Sequence, residues 1–243
     1  MKLKSKLLLA LLATSSAAFA QTAPAAPEVT YNVGVVSQYR YRGIAQGKGM
    51  PALQGGIDYA NSNGFYLGAW GSQIKWIEDT ATTAKGKTEL DLYGGYKFKD
   101  GGLDYDVGFL RYQYIANNTT PNANTNEVYG AVTSGVHTFK LSYALTTLFG
   151  VANTRGSDYI EWAANYDLGG GITLTPHLGR AIIPAAGYSY TDASATVAKD
   201  LGNGLTVTAA AIATTAKGTP YTGTVSHYQQ GKSAVVLGLK YGF

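Results

Sequence analysis

The stretch SAVVLGLKYGF, Ser233 to Phe243, decides the fold. Counted back by twos from Phe243, every residue as far as Val235 is apolar or aromatic, and the interleaved set includes Lys240 and two glycines. Alternation with a period of two is the pattern of a β-strand that has one apolar face and one polar face. The stretch therefore predicts a strand, and its apolar face carries Tyr241 and Phe243 at one end.

The first twenty residues predict export. MKLKSKLLLALLATSSAAFA carries Lys2, Lys4 and Lys6, then an apolar run over 7–13, then an A-x-A site at 18–20. These are the three parts of a secretory signal peptide, with cleavage expected after Ala20. The apolar run is much shorter than the roughly 17–25 residues of a membrane-spanning helix. Residues 21–28 are then expected to form a short tail in the periplasm.

Composition excludes several classes of protein. Three of the 19 basic residues lie in the predicted signal peptide, and without them 16 basic residues stand against 15 acidic ones. This balance gives no reason to expect a nucleic-acid partner. The chain has no cysteine, so an exported protein of this size must be stabilised by packing or by closing a sheet. Nineteen tyrosines and 31 glycines, with 14% charged residues, suit strands joined by turns.

Alternation recurs along the chain and predicts twelve strands. The clearest covers 29–42, with Tyr39 and Tyr41 on its apolar face and Arg40 and Arg42 on its polar face. In the strand at 65–76 both faces are apolar, which leaves the register open. In the strand at 103–114 the apolar face changes near Phe109–Leu110, which predicts a β-bulge. The other predicted strands cover 52–60, 87–98, 127–133, 138–146, 158–168, 172–179, 190–198, 205–214 and 233–243.

The connectors alternate between tight turns and long polar loops. Tight turns such as NSNG (61–64) and KDGG (99–102) are followed by loops such as IANNTTPNANTN (115–126). Short turns at one end and long loops at the other are typical of an outer-membrane barrel. We therefore expect an all-β fold, a closed antiparallel up-and-down transmembrane β-barrel of about twelve strands over 29–243. Its turns would be periplasmic and its longer loops extracellular.

A soluble β-sandwich also alternates, but the placement of aromatic residues favours the barrel. Two bands are expected on the outer surface, as in the aromatic girdles of membrane proteins. The band at the loop end would contain Tyr39, Tyr41, Trp76, Tyr112 and Tyr114. The band at the turn end would contain Tyr59, Tyr96, Phe98, Tyr105, Tyr166, Tyr241 and Phe243.

Two resemblances support this interpretation. The last strand resembles the terminal strand of bacterial outer-membrane proteins, which implies recognition of Tyr241 and Phe243 by the barrel-assembly machinery. The stretch from Asn32 to Trp76, followed by ELDLYGGYKF and LDYDVGFLRYQY, resembles the TorF family of proteobacterial porins. That resemblance covers nearly the whole chain after the signal peptide and weakens in the central loops and around 181–187. It implies an outer-membrane barrel with pore activity and no residue-level mechanism.

The charged residues on the inward face would line the pore. Charges within a membrane protein are costly unless they are paired or hydrated, so these residues are expected to face the lumen. We expect basic and acidic walls to form a constriction through which small polar solutes or ions diffuse with weak charge selectivity. The predicted pore-lining residues are Arg40, Arg42, Glu89, Asp91, Arg111 and Glu161.

Other functions stay open at this point. The same charges could instead pair across a narrow barrel and fill it, leaving a structural barrel or an adhesin or receptor that acts through its loops. An enzyme is disfavoured, because His137, His177 and His227 have no evident nucleophile and orienting group, and Ser226 and His227 are adjacent in the chain. No cofactor or metal is expected. The partners expected are membrane lipid and the assembly machinery, and the oligomeric state stays open.

Overall fold

The protein forms a closed antiparallel β-barrel of twelve strands in a computed structural model that describes residues 27–243. The predicted signal peptide and most of the predicted tail lie outside the described residues. Thirteen segments form the ring, and two of them are halves of one strand that is interrupted at Asn165. No helix of the described part of the chain is long and apolar enough to cross a membrane.

The ring is made of these segments in chain order: β1 Glu28–Val36, β4 Ala52–Ala60, β5 Phe65–Gln73, β6 Thr88–Asp100, β7 Leu103–Ile115, β8 Thr125–Ser134, β9 His137–Ala144, β10 Asp158–Ala164 with β11 Tyr166–Gly169, β12 Ile172–Ile182, β13 Tyr190–Gly202, β14 Leu205–Thr214 and β15 Ala234–Gly242. Two short strands, β2 Arg40–Tyr41 and β3 Ile44–Ala45, pair only with each other. Short 3₁₀ turns lie at Ile77–Asp79 and Thr219–Tyr221.

Every strand of the ring pairs with its neighbours in sequence, and β1 closes the ring against β15. At the seam, the Tyr31 N–H donates to the Phe243 carbonyl at 2.8 Å, and the Phe243 N–H donates back at 3.0 Å. Closure leaves no free edge in the ring. The predicted alternation of connectors is confirmed, and we call the two ends of the barrel the tight-turn end and the long-loop end.

The outer surface of the barrel is an apolar belt. On β1 and β15 the outward residues are those of the predicted apolar faces, and Val235 and Phe243 are 68% and 66% exposed. A belt of exposed aliphatic residues this large is foreign to a water-soluble monomer. At the tight-turn end it ends in stacked rings, with centroids 5.6 Å apart for Tyr31 and Phe243 and 5.0 Å for Phe98 and Tyr105.

The aromatic band predicted at the long-loop end is wrong. β1 ends at Val36, where β4 ends at its partner Ala52, while β15 continues past Gly238 to Ala234 along β14. Beyond Val36 the chain turns inward, which buries Tyr39 and Tyr41 in the lumen. Tyr112 and Tyr114 also point inward and are buried, and Trp76 lies against Tyr114 inside the barrel.

The predicted bulge in the strand at 103–114 is also wrong. β7 pairs without a register shift with both β6 and β8. The same alternate positions of β7 face inward along the whole strand. Towards the long-loop end the inward residues change from polar Asp106 to buried Leu110, Tyr112 and Tyr114. The reason is that the lumen is filled with protein at the long-loop half and therefore takes aromatic residues there.

Candidate functional site in the barrel lumen

A hairpin folded into the lumen is the central feature of the site. Residues 37–51 leave the wall after β1, and β2 and β3 pair through Arg40–Ala45 and Tyr41–Ile44. Arg42 and Gly43 form the tip, with φ of 45° and 80°, as a two-residue type I′ turn requires. A Cβ on Gly43 would lie 2.6 Å from the Asp192 Cβ, so the tip touches β13. We call residues 37–51 the plug.

Arg42 fixes the tip of the plug electrostatically. Its two terminal nitrogens donate to the Glu127 carboxylate of β8 at 2.9 and 2.8 Å, a bidentate pair in which both side chains are buried. The guanidinium carbon lies 4.2 Å from the ring centroid of Tyr159 and 4.8 Å from that of Tyr41. These contacts tie the plug to strands on the far side of the barrel.

Arg40 donates hydrogen bonds to backbone carbonyl groups of the plug and of the last long loop. One of its terminal nitrogens lies 3.1 Å from the carbonyl oxygens of Gly43 and Gln230, and only 1% of the residue is exposed. The Ala45 N–H donates to the same Gln230 carbonyl at 3.0 Å. Arg40 therefore lies in the lumen, as expected of a pore-lining residue, but holds two segments of the chain together.

Glu89 and Asp91 lie side by side on the inward face of β6, as the sequence predicts. The Tyr39 hydroxyl of the plug donates to Glu89 Oε1 at 2.9 Å. Glu89 Oε2 and Asp91 Oδ1 are buried and have no hydrogen-bond partner among the described residues. Burying an unsatisfied carboxylate oxygen is costly, so the plug holds these two acids in an unfavourable environment.

Glu161 takes part in a charge network on the opposite wall. His177 Nε2 lies 3.2 Å from Glu161 Oε2, and Lys140 Nζ lies 3.9 Å from Glu161 Oε1. His177 Nδ1 lies 3.6 Å from Asp192 Oδ1, and the Tyr159 hydroxyl donates to Asp192 Oδ2 at 3.0 Å. The network covers β9, β10, β12 and β13, so opposite charges do pair inside the lumen.

Arg111 does not line the pore. It alternates with buried Leu110 and Tyr112, and its guanidinium donates to Gln113 at 2.7 Å and to Asn126 at 3.1 Å on the outer face. Because no bulge reverses the faces of β7, the residue lies outside the barrel near the long-loop end. Its absence from the lumen leaves that level of the barrel with more acidic than basic side chains.

The lumen at the tight-turn half is polar and reached by water. Lys97, Asp106 and Lys240 point inward there and stay partly exposed. The Tyr66 hydroxyl donates to Asp106 at 2.6 Å, and the Tyr93 hydroxyl donates to Asp58. The Tyr93 ring lies flat over Gly68, where a Cβ would approach the ring to 2.3 Å.

A cavity of about 750 Å³ lies above the plug at the long-loop end, and we call it the vestibule. Tyr41, Arg42 and Glu127 form part of its lining on the side of the plug. One wall is an aromatic cluster in which the Phe149 ring lies 5.6 Å from Tyr41 and 6.2 Å from Tyr114. The other wall contains Tyr188, Tyr190 and Tyr221, with the Tyr221 ring 5.4 Å from Tyr190.

Asp79 holds three loops together beside the vestibule. Its carboxylate accepts hydrogen bonds from the Ser226 N–H at 2.7 Å and the Ser226 hydroxyl at 2.6 Å, and Lys48 of the plug lies 3.1 Å away. Burial alone would raise the pKa of Asp79, but the hydrogen bonds from Ser226 and Lys48 hold this pKa below its usual range. We call these three residues the latch.

Sequence reasoning missed several of these residues. Glu127 was recognisable, because it alternates with the outward residues Val128 and Val132 on a predicted strand. The latch and the vestibule carried no local signal, since their residues come from loops distant in sequence. Within residues 27–243, no group of three or more His, Asp or Glu side chains is arranged to hold a metal ion. Ser226 donates its hydroxyl to Asp79, away from any role with His227 as a catalytic pair.

Residues 20–243 match the model of a family described as "Bacterial protein of unknown function (Gcw_chp)". The chain belongs to the Gcw_chp family. No curated protein matches this Gcw_chp chain in sequence. The resemblance to the TorF family remains a prediction.

Solved structures share the fold of this Gcw_chp protein. The KdgM porin in complex with disordered oligogalacturonate aligns with a TM-score of 0.54 at 10% identity, over 88% of this chain and 98% of that chain. A second structure, of the KdgM porin, aligns with the same TM-score of 0.54 at 9% identity, over 88% of this chain and 98% of that chain. At these identities the similarity shows the barrel fold alone.

Proposed function

We propose that this protein is an outer-membrane porin-like channel for passive diffusion of small polar solutes or ions. One observation carries the proposal: a closed barrel with an apolar exterior encloses two compartments, the vestibule and the polar tight-turn half of the lumen, separated by the plug. A filled barrel would not need water-accessible charges such as Lys97 and Asp106 on its inner wall.

The membrane location follows from the two surfaces. Lipid offers no hydrogen bonds to a backbone, so a sheet that spans a bilayer must close on itself, as this one does. The apolar belt then meets lipid, and the stacked rings at the tight-turn end lie at the interface. In this proposal residues 1–20 are a signal peptide, 21–28 a periplasmic tail and 29–243 the barrel. N-terminal sequencing of the membrane-bound protein tests cleavage after Ala20.

The barrel-assembly machinery is the proposed folding partner. Tyr241 and Phe243 face outward at the end of β15, where a recognising protein could reach them before the ring closes. Substituting Phe243→Ser should lower the amount of protein in the outer membrane of cells, while refolding of the purified chain into detergent changes little. An equal loss in both experiments would point to folding stability instead of recognition.

Charge selectivity is expected to be weak, with a preference for cations. Arg42 is neutralised by Glu127, and Lys140 lies beside Glu161, so neither basic residue presents a free charge to a passing ion. Glu89 and Asp91 remain without a basic partner of their own at this level among the described residues. The reversal potential under a salt gradient should therefore be displaced slightly to the cation side.

The test is single-channel conductance of the refolded protein in a planar bilayer. Val36 and Ala52 are direct partners in the sheet, so a two-residue Asn-Gly turn can replace residues 37–51 and keep the ladder between β1 and β4. Removing the plug should give large, steady conductance steps where the complete protein gives smaller or intermittent ones. Shortening the loop at 183–189, which borders the vestibule, is the control and should leave the conductance nearly unchanged.

A filled barrel that acts as a structural or loop-binding protein is the second candidate. The observation that favours it is the tight packing of the plug, in which Tyr39, Arg40 and Arg42 are almost fully buried. Under this alternative the complete protein would stay silent in the bilayer after verified insertion, and only the plug-less variant would conduct. An outer-membrane enzyme is the least supported function, because Ser226 donates its hydroxyl to Asp79 and not to the adjacent His227.

A further inference from the structure

We propose that the outer wall of the barrel binds lipid phosphate groups at the long-loop end, through arginines that face the lipid. The inference rests on the proposed place of the barrel in a membrane, and it adds a partner that the channel function does not require. Two of the five arginines of the chain lie in the plug. We call the other three, Arg111, Arg155 and Arg180, the arginine rim.

Arg111 and Arg180 occupy equivalent places on β7 and β12. Both face outward, since each lies between two buried residues of its strand. Each pairs across the sheet with the second residue of the following strand, Asn126 of β8 and Thr191 of β13. Each also donates a hydrogen bond from Nη1 to the side chain of that partner, at 3.1 Å in both cases. The same arrangement therefore occurs twice near the long-loop end of the wall.

The partners of these two guanidinium groups are neutral and leave donors unused. Arg111 donates from Nε and Nη2 to the Gln113 amide oxygen at 3.0 and 2.7 Å, in addition to its bond to Asn126. Three of its five N–H groups are thus engaged, while Arg180 engages one. Neither residue forms an ion pair within residues 27–243. A guanidinium that neutral acceptors hold in place keeps its charge and its remaining donors for the oxygens of a phosphate.

Arg180 lies among side chains that face lipid. Leu178 and Ile182, its outward neighbours on β12, are 50% and 45% exposed, and Ile160, its partner on β10, is 48% exposed. A charge in such surroundings is costly unless it reaches the interface or meets an opposite charge. Asp158 pairs with Ile182 in the sheet, but it forms no ion pair with Arg180. Because Arg180 is two residues from the end of β12, it can reach a lipid head group, whose phosphate supplies the missing charge.

Arg155 places a third guanidinium on the same side of the barrel. It is exposed in the connector between β9 and β10, which lies between β7 and β12 in the order of the ring. Its neighbour Gly156 lies against the outer face of β9, where a Cβ would be 3.3 Å from the hydroxyl of the exposed Tyr143. The arginine rim therefore follows the outer edge of one part of the ring.

The charge of the long connectors favours the same partner. Outside the plug, their acidic residues are Glu78 and Asp79, and each is paired with a lysine. The basic residues of these connectors, again outside the plug, are Arg155, Lys75, Lys85, Lys87, Lys217 and Lys232. The tight-turn end carries stacked aromatic rings on its outer surface instead. The long-loop end is therefore suited to a leaflet whose head groups carry phosphate, since such a leaflet attracts basic residues near its surface.

Native mass spectrometry of the refolded full chain tests the inference, in an uncharged polyoxyethylene detergent. Diphosphoryl lipid A is the phosphate-bearing probe, diglucosyl diacylglycerol is the neutral lipid, and inorganic phosphate is the free anion. Lipid A should bind at least about tenfold more tightly than the neutral lipid, and an excess of inorganic phosphate should not displace it. Arg111→Gln/Arg180→Gln should weaken lipid A binding by about tenfold. Lys99→Gln/Lys199→Gln removes two charges at the tight-turn end and should change the affinity by less than about twofold.

The outcomes separate the inference from the proposed function, once the heat-dependent gel mobility of each variant shows a folded barrel. Equal affinity for the two lipids, equal losses in the arginine and lysine variants, or displacement of lipid A by inorganic phosphate would each overturn the lipid site. Discrete conductance steps together with lipid A binding that does not depend on the arginines would remove the site and keep the channel. Lipid A binding that depends on the arginines, in a protein that never conducts, would keep the site and remove the channel.

Discussion

Arg42 shows how a single residue holds the plug in the lumen. A guanidinium so deeply buried needs a partner, and Glu127 supplies both of its oxygens while two tyrosine rings cover the flat faces. A buried pair of this kind contributes little net stability compared with apolar packing, but breaking one side of it is strongly destabilising. The pair therefore specifies where the plug lies.

Glu127→Gln should remove the charge that Arg42 requires. The unpaired guanidinium is expected to lower the free energy of unfolding by about 3–5 kcal/mol or to leave the lumen and carry the plug with it. Urea unfolding in lipid vesicles measures the first effect, and a rise in conductance measures the second. Glu78→Gln is the control, because Glu78 faces Lys87 at the exposed surface, where a pair is worth at most about 1 kcal/mol. Equal effects of the two variants would contradict this role of the pair.

Gly43→Ala should displace the tip of the plug. The residue combines a positive φ of 80° with a contact in which a Cβ would lie 2.6 Å from Asp192. Gly202→Ala is closely matched, since Gly202 has a φ of 82° and nothing within 4 Å of a Cβ. Both variants carry the backbone strain, and only Gly43→Ala adds the clash, so it alone should raise the conductance. A similar rise for both would show that strain, and not the contact with β13, matters.

At the scale of the element, the plug behaves as a hairpin without a place in the barrel wall. β2 and β3 pair only with each other. The plug is otherwise held by side chains and by a few backbone bonds, from Ser37 to Leu237 of β15 and from Ala45 and Gln46 to the loops. The latch is the contact nearest the long-loop end, where Lys48 of the plug meets Asp79. An element held by few backbone bonds opens at lower free energy than the sheet around it.

Acid should release the latch. The folded-state pKa of Asp79 is held below its usual value. The carboxylate therefore makes its full contribution to stability above about pH 3.9, the ordinary pKa of an aspartate. That contribution is lost as the pH falls from there through the lowered folded pKa. The open probability of single channels should therefore stay constant between pH 7 and 5 and rise below about pH 4.

Asp79→Asn provides the comparison for the acid experiment. This variant lacks the carboxylate at every pH, so its open probability should already be raised at pH 7 and should show a smaller further rise below pH 4. Glu78→Gln, one residue away on the same 3₁₀ turn, should titrate like the natural protein. An unchanged acid response in Asp79→Asn would assign the titration to other lumenal acids.

At the scale of the whole molecule, the distribution of side chains is the reverse of that in a water-soluble protein, with apolar residues on the outside of the barrel and charged residues in the lumen. Aliphatic side chains face outward on every side of the ring, while arginine, glutamate and tyrosine are buried inside. The arrangement is stable only where the outside is not water.

The free-energy cost of a charged residue on the belt should therefore depend on how far that residue lies from the ends of the barrel. Val107 and Ile115 both face outward on β7, Val107 in the belt and Ile115 at the long-loop end of the strand. Val107→Arg should lower the free energy of unfolding in vesicles by about 2–4 kcal/mol, and Ile115→Arg by about 0–1 kcal/mol. Similar costs at both positions, or a native fold of Val107→Arg in water without detergent, would contradict a membrane barrel.

The sequence by itself determined the strands, their faces and the order of turns and loops. A period of two is a local property, so β4 has the predicted bounds and β6 and β15 have the predicted faces. The inward positions of Glu89, Asp91 and Glu161 follow from the same local rule. The turn at Arg42–Gly43, flanked by alternating residues, was a readable hairpin signal that the longer alternation from Val29 obscured.

Only the tertiary structure decided what fills the barrel. Whether β1 continues past Val36 depends on where its pairing with β4 ends, and whether Tyr112 faces lipid or lumen depends on what occupies the lumen at that level. Arg111 lies outside the lumen because its neighbours Leu110 and Tyr112 fill the inward positions of β7. The vestibule and the latch join loops far apart in sequence, so no local pattern could predict them. A strand's periodicity fixes which residues share a face, but the contents of a closed ring depend on chain segments that the periodicity does not describe.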